Sequence, residues 1–170
     1  MFTKKVEEEY NKQVNAEMWS AYLYLSMSSY FQNMGLAGFA NWMRIQYQEE
    51  TFHALRFFDY IIGRGGNAIL KPIAEVPVKW DNALQVFEET LKHEQHVTSL
   101  INHLMDVAIE EKDHASVSML KWFVDEQVEE EANVNQILDQ LRLVDGKGNG
   151  LFMLDRELKT RTFTPPASAQ

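Results

Sequence analysis

The chain has 170 residues, a formal net charge of −9 and no cysteine. That length suits one domain, 1–170, with a full core, and the acidity argues against nucleic acid and for cations as partners. The missing cysteines exclude disulfides, thiolate metal sites and a cysteine nucleophile. No apolar run approaches the roughly 20 residues of a membrane span. The start, Met1-Phe2-Thr3-Lys4-Lys5, lacks the apolar core of a secretory signal, so a cytoplasmic protein with no membrane partner is expected.

Taken in order, the pattern is helical from 3 to 33, where Tyr10, Val14, Glu17, Ala21, Tyr24, Ser28 and Phe31 recur in steps of three and four. Gly35 then reads as a short helix-ending turn, which makes a second helix over 36–63 an antiparallel neighbour. Its seam is Phe39, Trp42, Met43, Gln46, Glu50, His53, Phe57 and Tyr60. Gly65 to Trp80, with Pro72 and Pro77, is the only long non-helical connection. A helix of about 28 residues is about 42 Å long, and about 15 extended residues at ~3.3 Å cover a similar distance. The connection can therefore return along the whole bundle and start the third helix parallel to the second.

Asp81 is the expected N-cap of that third helix, 81–110, with the seam Leu84, Phe87, Leu91, Glu94, Thr98, Ile101, Met105 and Ala108. Glu111-Lys112-Asp113 reads as another break, with Asp113 capping a fourth helix over 113–144. Its seam is Ser116, Leu120, Phe123, Gln127, Glu130, Val134, Ile137 and Leu141. After a glycine-rich loop a short fifth helix, 151–159, is expected, then a loose tail over 160–170. The fold class is all-α, a four-helix bundle with one long crossover and a short C-terminal helix.

Each of the four seams carries a metal-competent residue near its middle: Glu17, then Glu50 and His53, then Glu94, then Gln127 and Glu130. Glu50 and His53 are i and i+3, so their side chains leave one face together. A buried carboxylate left alone costs several kcal/mol. The four glutamates carry four negative charges, which two divalent cations balance. Carboxylates with one imidazole suit iron or manganese better than a softer metal. The bundle pattern for such centres is one Glu from each of two helices and Glu-x-x-His from each of the others. Here one such pair is present, and Gln127-x-x-Glu130 stands in place of the second.

Several stretches carry a resemblance over essentially the whole chain. They include Gln13-x-Asn15-Ala16-Glu17, Ala21-Tyr22-Leu23-Tyr24-Leu25, Gly38-Phe39-x-Asn41-Trp42, Glu49-Glu50-x-x-His53-Ala54 and His93-Glu94. Further on are Glu110-x-Lys112-Asp113 and Trp122-x-Val124-x-Glu126-Gln127-x-Glu129-Glu130-Glu131. In these the chain resembles the bacterial and archaeal non-haem ferritins. The resemblance implies a cage of twenty-four identical chains that oxidises Fe(II) with O2 or H2O2 at a two-iron ferroxidase centre inside each bundle and stores the ferric product as mineral. It implies one iron on Glu17, Glu50 and His53. A second would lie on the bridging Glu50, Glu94 and Glu130, with Gln127 close by. It also implies a third iron site at Glu49, Glu126 and Glu129, sharing Glu130. The spacing of Glu126 and Glu129 is compatible with that, and equally with a solvated face.

Tyr24 shares the Glu17 seam. As a core tyrosine it needs only a partner for its hydroxyl; the resemblance adds a hydrogen bond to a site carboxylate or electron donation during oxygen reduction, and Trp122 could do likewise. His93, His96, His103 and His114 read as surface residues. Glu110, Glu111 and Asp113 form an acidic corner, which reads either as a polar loop or, by resemblance, as part of an entry funnel.

Departures narrow the subfamily. Thr51 stands where bacterioferritins carry the haem-ligating Met, and helix four lacks Glu-x-x-His, so no haem is expected. Without cysteine the chain cannot carry the iron domain of rubrerythrins, and the mini-ferritins lack a fifth helix. Two other readings of the seams are a non-cage di-iron oxidase or oxygenase acting on an organic substrate, and a structural bundle with vestigial acids.

Overall fold

A computed structural model describes residues 2–146 and 148–166. The architecture is the all-α bundle anticipated, in the order α1 (Lys4–Asn33), α2 (Ala37–Gly63), α3 (Ala83–Glu110), α4 (His114–Leu143) and α5 (Gly148–Leu158). The α1–α2 hairpin closes on Gly35, whose φ of 75° is the left-handed conformation that glycine adopts without steric cost. The Leu36 N–H then reaches back to the Phe31 carbonyl at 3.0 Å. The break after α3 uses Lys112 in the same conformation, φ 55°.

Two helix starts differ from expectation. α3 is capped by Asn82, whose side chain accepts from the Gln85 N–H at 2.9 Å, while the Asp81 N–H donates to Gln85 Oε1 at 2.6 Å. The Asn–Gln exchange thus shifts the cap one residue past Asp81. At α4, Asp113 makes no side-chain cap bond. Its carboxylate instead takes both oxygens to Arg64 Nη2, at 2.9 and 3.1 Å, and accepts from the Ser116 hydroxyl at 2.8 Å. Lys5 sits 2.5 Å from Glu110 and 3.8 Å from Glu111, so the acidic corner is largely paired with cations of its own chain.

The crossover does run the length of the bundle. It is tethered by one stripe of α1: Asn11 to the backbone of Asn67 and Ile69, Asn15 to the carbonyls of Lys71 and Pro72, Trp19 to Glu75 and Ser26 to Pro77. Those side chains, donating to carbonyls and, at Asn11 Oδ1, accepting from the Ile69 N–H, satisfy an extended backbone that has no sheet partner. Ile69, Leu70, Ile73 and Val78 on the crossover stay exposed.

α5 starts at Gly148, ahead of the expected Leu151, and docks on the start of α2. α2 has no capping side chain of its own, because Leu36 occupies the N-cap. Asp155 on α5 supplies it, with Oδ1 accepting from the N–H groups of Gly38 at 2.7 Å and Phe39 at 3.1 Å. The approach is close enough that a Cβ on Gly38 would lie 1.5 Å from the Asp155 carbonyl oxygen. Asp155→Ala is expected to cost about 1–2 kcal/mol, as for other lost caps, and Gly38→Ala more, because the helices must part. Thermal unfolding of the two variants checks the order; a Gly38→Ala protein as stable as wild type would refute this docking.

The core falls into two apolar clusters. One, around Tyr24, Phe31, Phe39, Phe87 and Leu138, fills the end near α5. The other, around Tyr10, Phe57, Ile61, Phe123 and Leu120, fills the opposite end. Between them lies a buried polar layer containing Gln13, Glu17, Gln46, Glu50, His53, Glu94, Gln127 and Glu130. The tail is also more ordered than expected. Arg161 is held by Asn41 and Glu49 of α2, and Phe163 makes a ring contact with Phe52. Residues 167–170 of the expected loose tail lie outside the described residues.

Candidate metal centre

Apolar seams bring the four helices together, and the residues interrupting those seams meet at one level. Glu17, Glu50 and His53 each offer a ligand atom within 4.8 Å of the others, and all three are buried. His53 Nδ1 lies 3.7 Å from Glu50 Oε2, and its other nitrogen faces Glu126 Oε1 at 4.0 Å. Across the layer the Tyr24 hydroxyl donates to Glu94 Oε1, and Gln127 Nε2 lies 3.2 Å from Glu94 Oε2. Glu130 Oε2 accepts from Gln46 Nε2 at 3.0 Å, and Glu17 Oε1 accepts from Gln13 Nε2 at 2.8 Å. Gln127 also reaches the Glu94 carbonyl and the Thr98 hydroxyl. Its amide nitrogen, not its oxygen, is thus turned toward Glu94.

Among the described residues no lysine or arginine pairs directly with Glu17, Glu50, Glu94 or Glu130. Glu17 Oε2, Glu50 Oε2 and Gln46 Oε1 are buried acceptors with no hydrogen-bond donor. A native interior rarely leaves such atoms unmatched, and all three can accept a cation. Burial, then the neighbouring carboxylates, pushes Glu17 and Glu50 well above the usual carboxylate range. Burial likewise raises Glu94 to about 7 despite donation from Tyr24 and Gln127, and Glu130 to about 7 despite His53, Arg161 and Gln46. The Tyr24 phenol is pushed up by burial and by the Glu94 carboxylate.

These shifts carry a sign. A carboxyl whose folded pKa lies above its unfolded value stabilises the fold while both states hold the proton. That contribution is lost as pH rises through the folded pKa. With Glu94 and Glu130 near 7 and Glu17 and Glu50 also raised, the metal-free protein is expected to lose thermal stability between roughly pH 5 and 8. The drop in Tm should be several degrees, and a divalent cation should reverse it. A Tm flat across that window in calorimetry of metal-free protein would contradict the buried charge cluster.

Outside this layer, Glu49, Glu126 and Glu129 line a cleft of about 390 Å³ together with Phe52, His53 and Trp122. Burial raises Glu49 to about 7, opposed by Arg161, whose Nη2 lies 2.6 Å from Glu49 Oε2. Glu129 is exposed and Glu126 half-buried. Trp122 stands 5.4 Å from the His53 ring, with the Arg56 guanidinium 4.0 Å above its own.

Several participants were not visible in the sequence. Gln13 and Gln46 lie four residues before Glu17 and Glu50, so an amide one turn ahead of a seam acid was the available signal. His93 is half-buried and partnered, not free at the surface. Its Nε2 is 2.8 Å from the Ser20 hydroxyl, its ring lies between Trp19 and Tyr24, and burial lowers its pKa to about 4. Arg161 had no signal, since its position depends on the tail folding back. His96, His103 and His114 are exposed as expected.

Comparison with known proteins agrees with this arrangement. Residues 7–144 match the family model for the ferritin-like domain. The chain is 46% identical over 161 residues to a bacterial non-heme ferritin of Bacteroides fragilis, covering 95% of this chain and all of that one. The chain belongs to the ferritin family. It is 36% identical over 163 residues to the bacterial non-heme ferritin of Staphylococcus aureus, covering 96% of this chain and 98% of that one. Among solved structures, the open-pore ferritin of Archaeoglobus fulgidus superposes with a TM-score of 0.94 at 47% identity, over 95% of this chain and all of the other. A closed form engineered from that ferritin gives 0.95 at 48%, over 96% of this chain. For this ferritin, then, iron storage is the supported role and the Glu17–Glu50–His53 group is a candidate metal site. No helix among the described residues is long and apolar enough to cross a membrane.

Proposed function

We propose that this ferritin oxidises Fe(II) at a two-iron centre in the polar layer and deposits the ferric product inside a cage of twenty-four chains. The observation that carries this reading is the buried carboxylate layer, with its unmatched acceptor atoms and, among the described residues, no lysine or arginine in direct contact with its glutamates. One ferrous ion would take Glu17, Glu50 and His53; the other would take Glu50 as the shared carboxylate, Glu94 and Glu130. Two ferrous ions side by side give two electrons to one O2, which takes up two protons and leaves as hydrogen peroxide, so no superoxide is released. Peroxide can serve as oxidant in the same way, taking two electrons and two protons to give water. Oxygen-rich ligation favours the ferric product. Tyr24, donating to Glu94, would hold that carboxylate in place and is near enough to supply an electron. Glu49, Glu126 and Glu129 would form a third iron site in the outer cleft, on the way from the centre to the mineral.

A second copy of the chain would cover the exposed apolar residues of the crossover and Tyr22 on α1. The whole reading is tested by aerobic ferrous loading followed by size exclusion and iron assay. The expected result is a cage-sized particle holding far more iron than three ions per chain. A small oligomer, or iron limited to a few ions per chain, would instead favour a non-cage di-iron protein.

A further inference from the structure

The tail supplies an arginine that hydrogen-bonds a carboxylate of the outer cleft. Beyond α5 the backbone is pinned by a single side chain: Asn41 Nδ2 donates to the carbonyls of Leu158, Lys159 and Arg161 at 3.2, 3.3 and 3.0 Å. From that anchor the Arg161 side chain crosses the Trp42 ring at 4.5 Å and places Nη2 2.6 Å from Glu49 Oε2. The pair is well shielded, with 20% of the Arg161 and 16% of the Glu49 side chain exposed. The following residues, Thr162 to Thr164 and Pro166, form one wall of the cleft that Glu49, Glu126 and Glu129 also line. Phe163 rests on Phe52 with ring centres 6.0 Å apart.

Arginine–carboxylate pairs are frequently bidentate, with two parallel bonds. Here one hydrogen bond is made, and Arg161 Nη1 is buried with no partner at all. The contact is therefore weaker than the geometry of the two groups permits. Arginine does not lose its proton in a protein, so its charge can leave Glu49 only by movement.

We propose that Arg161 is the built-in counter-ion of Glu49, which an iron ion must displace to enter the outer cleft, and that the strap 161–166 moves aside as it does so. The inference rests on reading Glu49, Glu126 and Glu129 as a third iron site. Its consequence is order of filling. The inner layer, whose glutamates have no lysine or arginine in direct contact among the described residues, takes ferrous ions first. The outer position fills only when an arriving cation outcompetes a tethered guanidinium. By linkage, iron in the outer cleft loosens the strap by the same factor by which the strap weakens iron.

The test is anaerobic calorimetric titration of metal-free cage with Fe(II), comparing wild type, Arg161→Met and the triple variant Glu49→Gln, Glu126→Gln, Glu129→Gln. Methionine keeps an apolar stem over Trp42 and leaves the Asn41 bonds intact. The third ferrous ion is expected to bind about tenfold tighter in Arg161→Met, the scale of one shielded charged hydrogen bond, with a smaller change for the first two. A third ion seen only in Arg161→Met supports the proposal equally. In the triple variant the third ion should be lost. A third ion bound with equal affinity by wild type and Arg161→Met overturns the displacement and leaves the third site standing. Two ions only, in both, overturns the third site and the displacement with it. If Arg161→Met does not assemble, hydrogen exchange on the wild-type cage decides. Amides of 162–164 should exchange several-fold faster once Zn(II), a redox-inert probe, passes two equivalents per chain; no acceleration overturns the proposal.

Discussion

Replacing Glu50 and His53 together by alanine is expected to slow ferrous oxidation at least about a hundredfold while leaving a folded protein. Glu50 is the carboxylate nearest the middle of the layer: its group lies against Glu17 and His53 and feels Glu94 and Glu130. Removing it takes away the only residue assigned to both irons, and removing His53 takes away the only imidazole. What remains is three carboxylates on three different helices, with no shared ligand to hold two irons at reacting distance, and proximity alone is worth orders of magnitude in rate. The fold should survive because two terms oppose each other. Alanine leaves cavities costing a few kcal/mol, but it also deletes a buried carboxylate whose Oε2 has no donor, which the metal-free fold holds at a cost of similar size. Stopped-flow absorbance after mixing with aerobic Fe(II), with particle size measured in parallel, checks both halves. Fast oxidation at the wild-type rate in an intact particle would sink the assignment of the centre.

The second large effect is expected from Gln127→Glu. In wild type the Gln127 amide donates to both the side chain and the main-chain carbonyl of Glu94, and touches Thr98. It therefore steadies Glu94 as a carboxylate without adding charge. A glutamate there would lose that donor and set a fifth carboxylate against Glu94 in a layer already short of positive charge. The metal-free protein should lose about 2–3 kcal/mol, the scale of an unmatched buried charged group. The metal-bound protein should gain, because a second carboxylate reaches the same iron and holds its ferric state more firmly. Turnover then suffers: regeneration of oxidation activity after a first ferrous pulse should be about tenfold slower. Regeneration as fast as wild type would refute the account of the centre as a transit site. So would a metal-free Tm that does not fall.

The bundle itself was legible because its signal is periodic. Steps of three and four recur over each of the four long helices, and the length of the crossover admitted little besides a return along the bundle. The buried polar layer was legible for the opposite reason. An acid on an apolar seam contradicts the pattern around it, and six residues doing so at one level are difficult to read as chance. What the pattern could not show was orientation within the layer. Whether Gln127 turns its oxygen or its nitrogen to Glu94, and whether Gln13 and Gln46 hold the outer faces of Glu17 and Glu130, depends on rotamers chosen by neighbours from other helices.

The same division explains the errors. Asp113 does take the N-cap position of α4, but its carboxylate makes no cap bond, because Arg64 beyond the end of α2 offers it a charged partner. His93 follows a helical register that faces outward on an isolated helix, and it is enclosed only because Trp19 and Ser20 of α1 lie across from it. The segment 161–166 has no periodicity at all. Its path is set by Asn41 and Glu49, residues 120 and 112 positions earlier in the chain. Helix positions and the identity of the buried acids were thus determined by the sequence, because each is a local contradiction or a local repeat. The hydrogen-bond directions, the trans-cap of Asp155 on α2 and the placement of Arg161 on Glu49 were decided only by the tertiary structure, because each joins groups that no spacing in the chain relates.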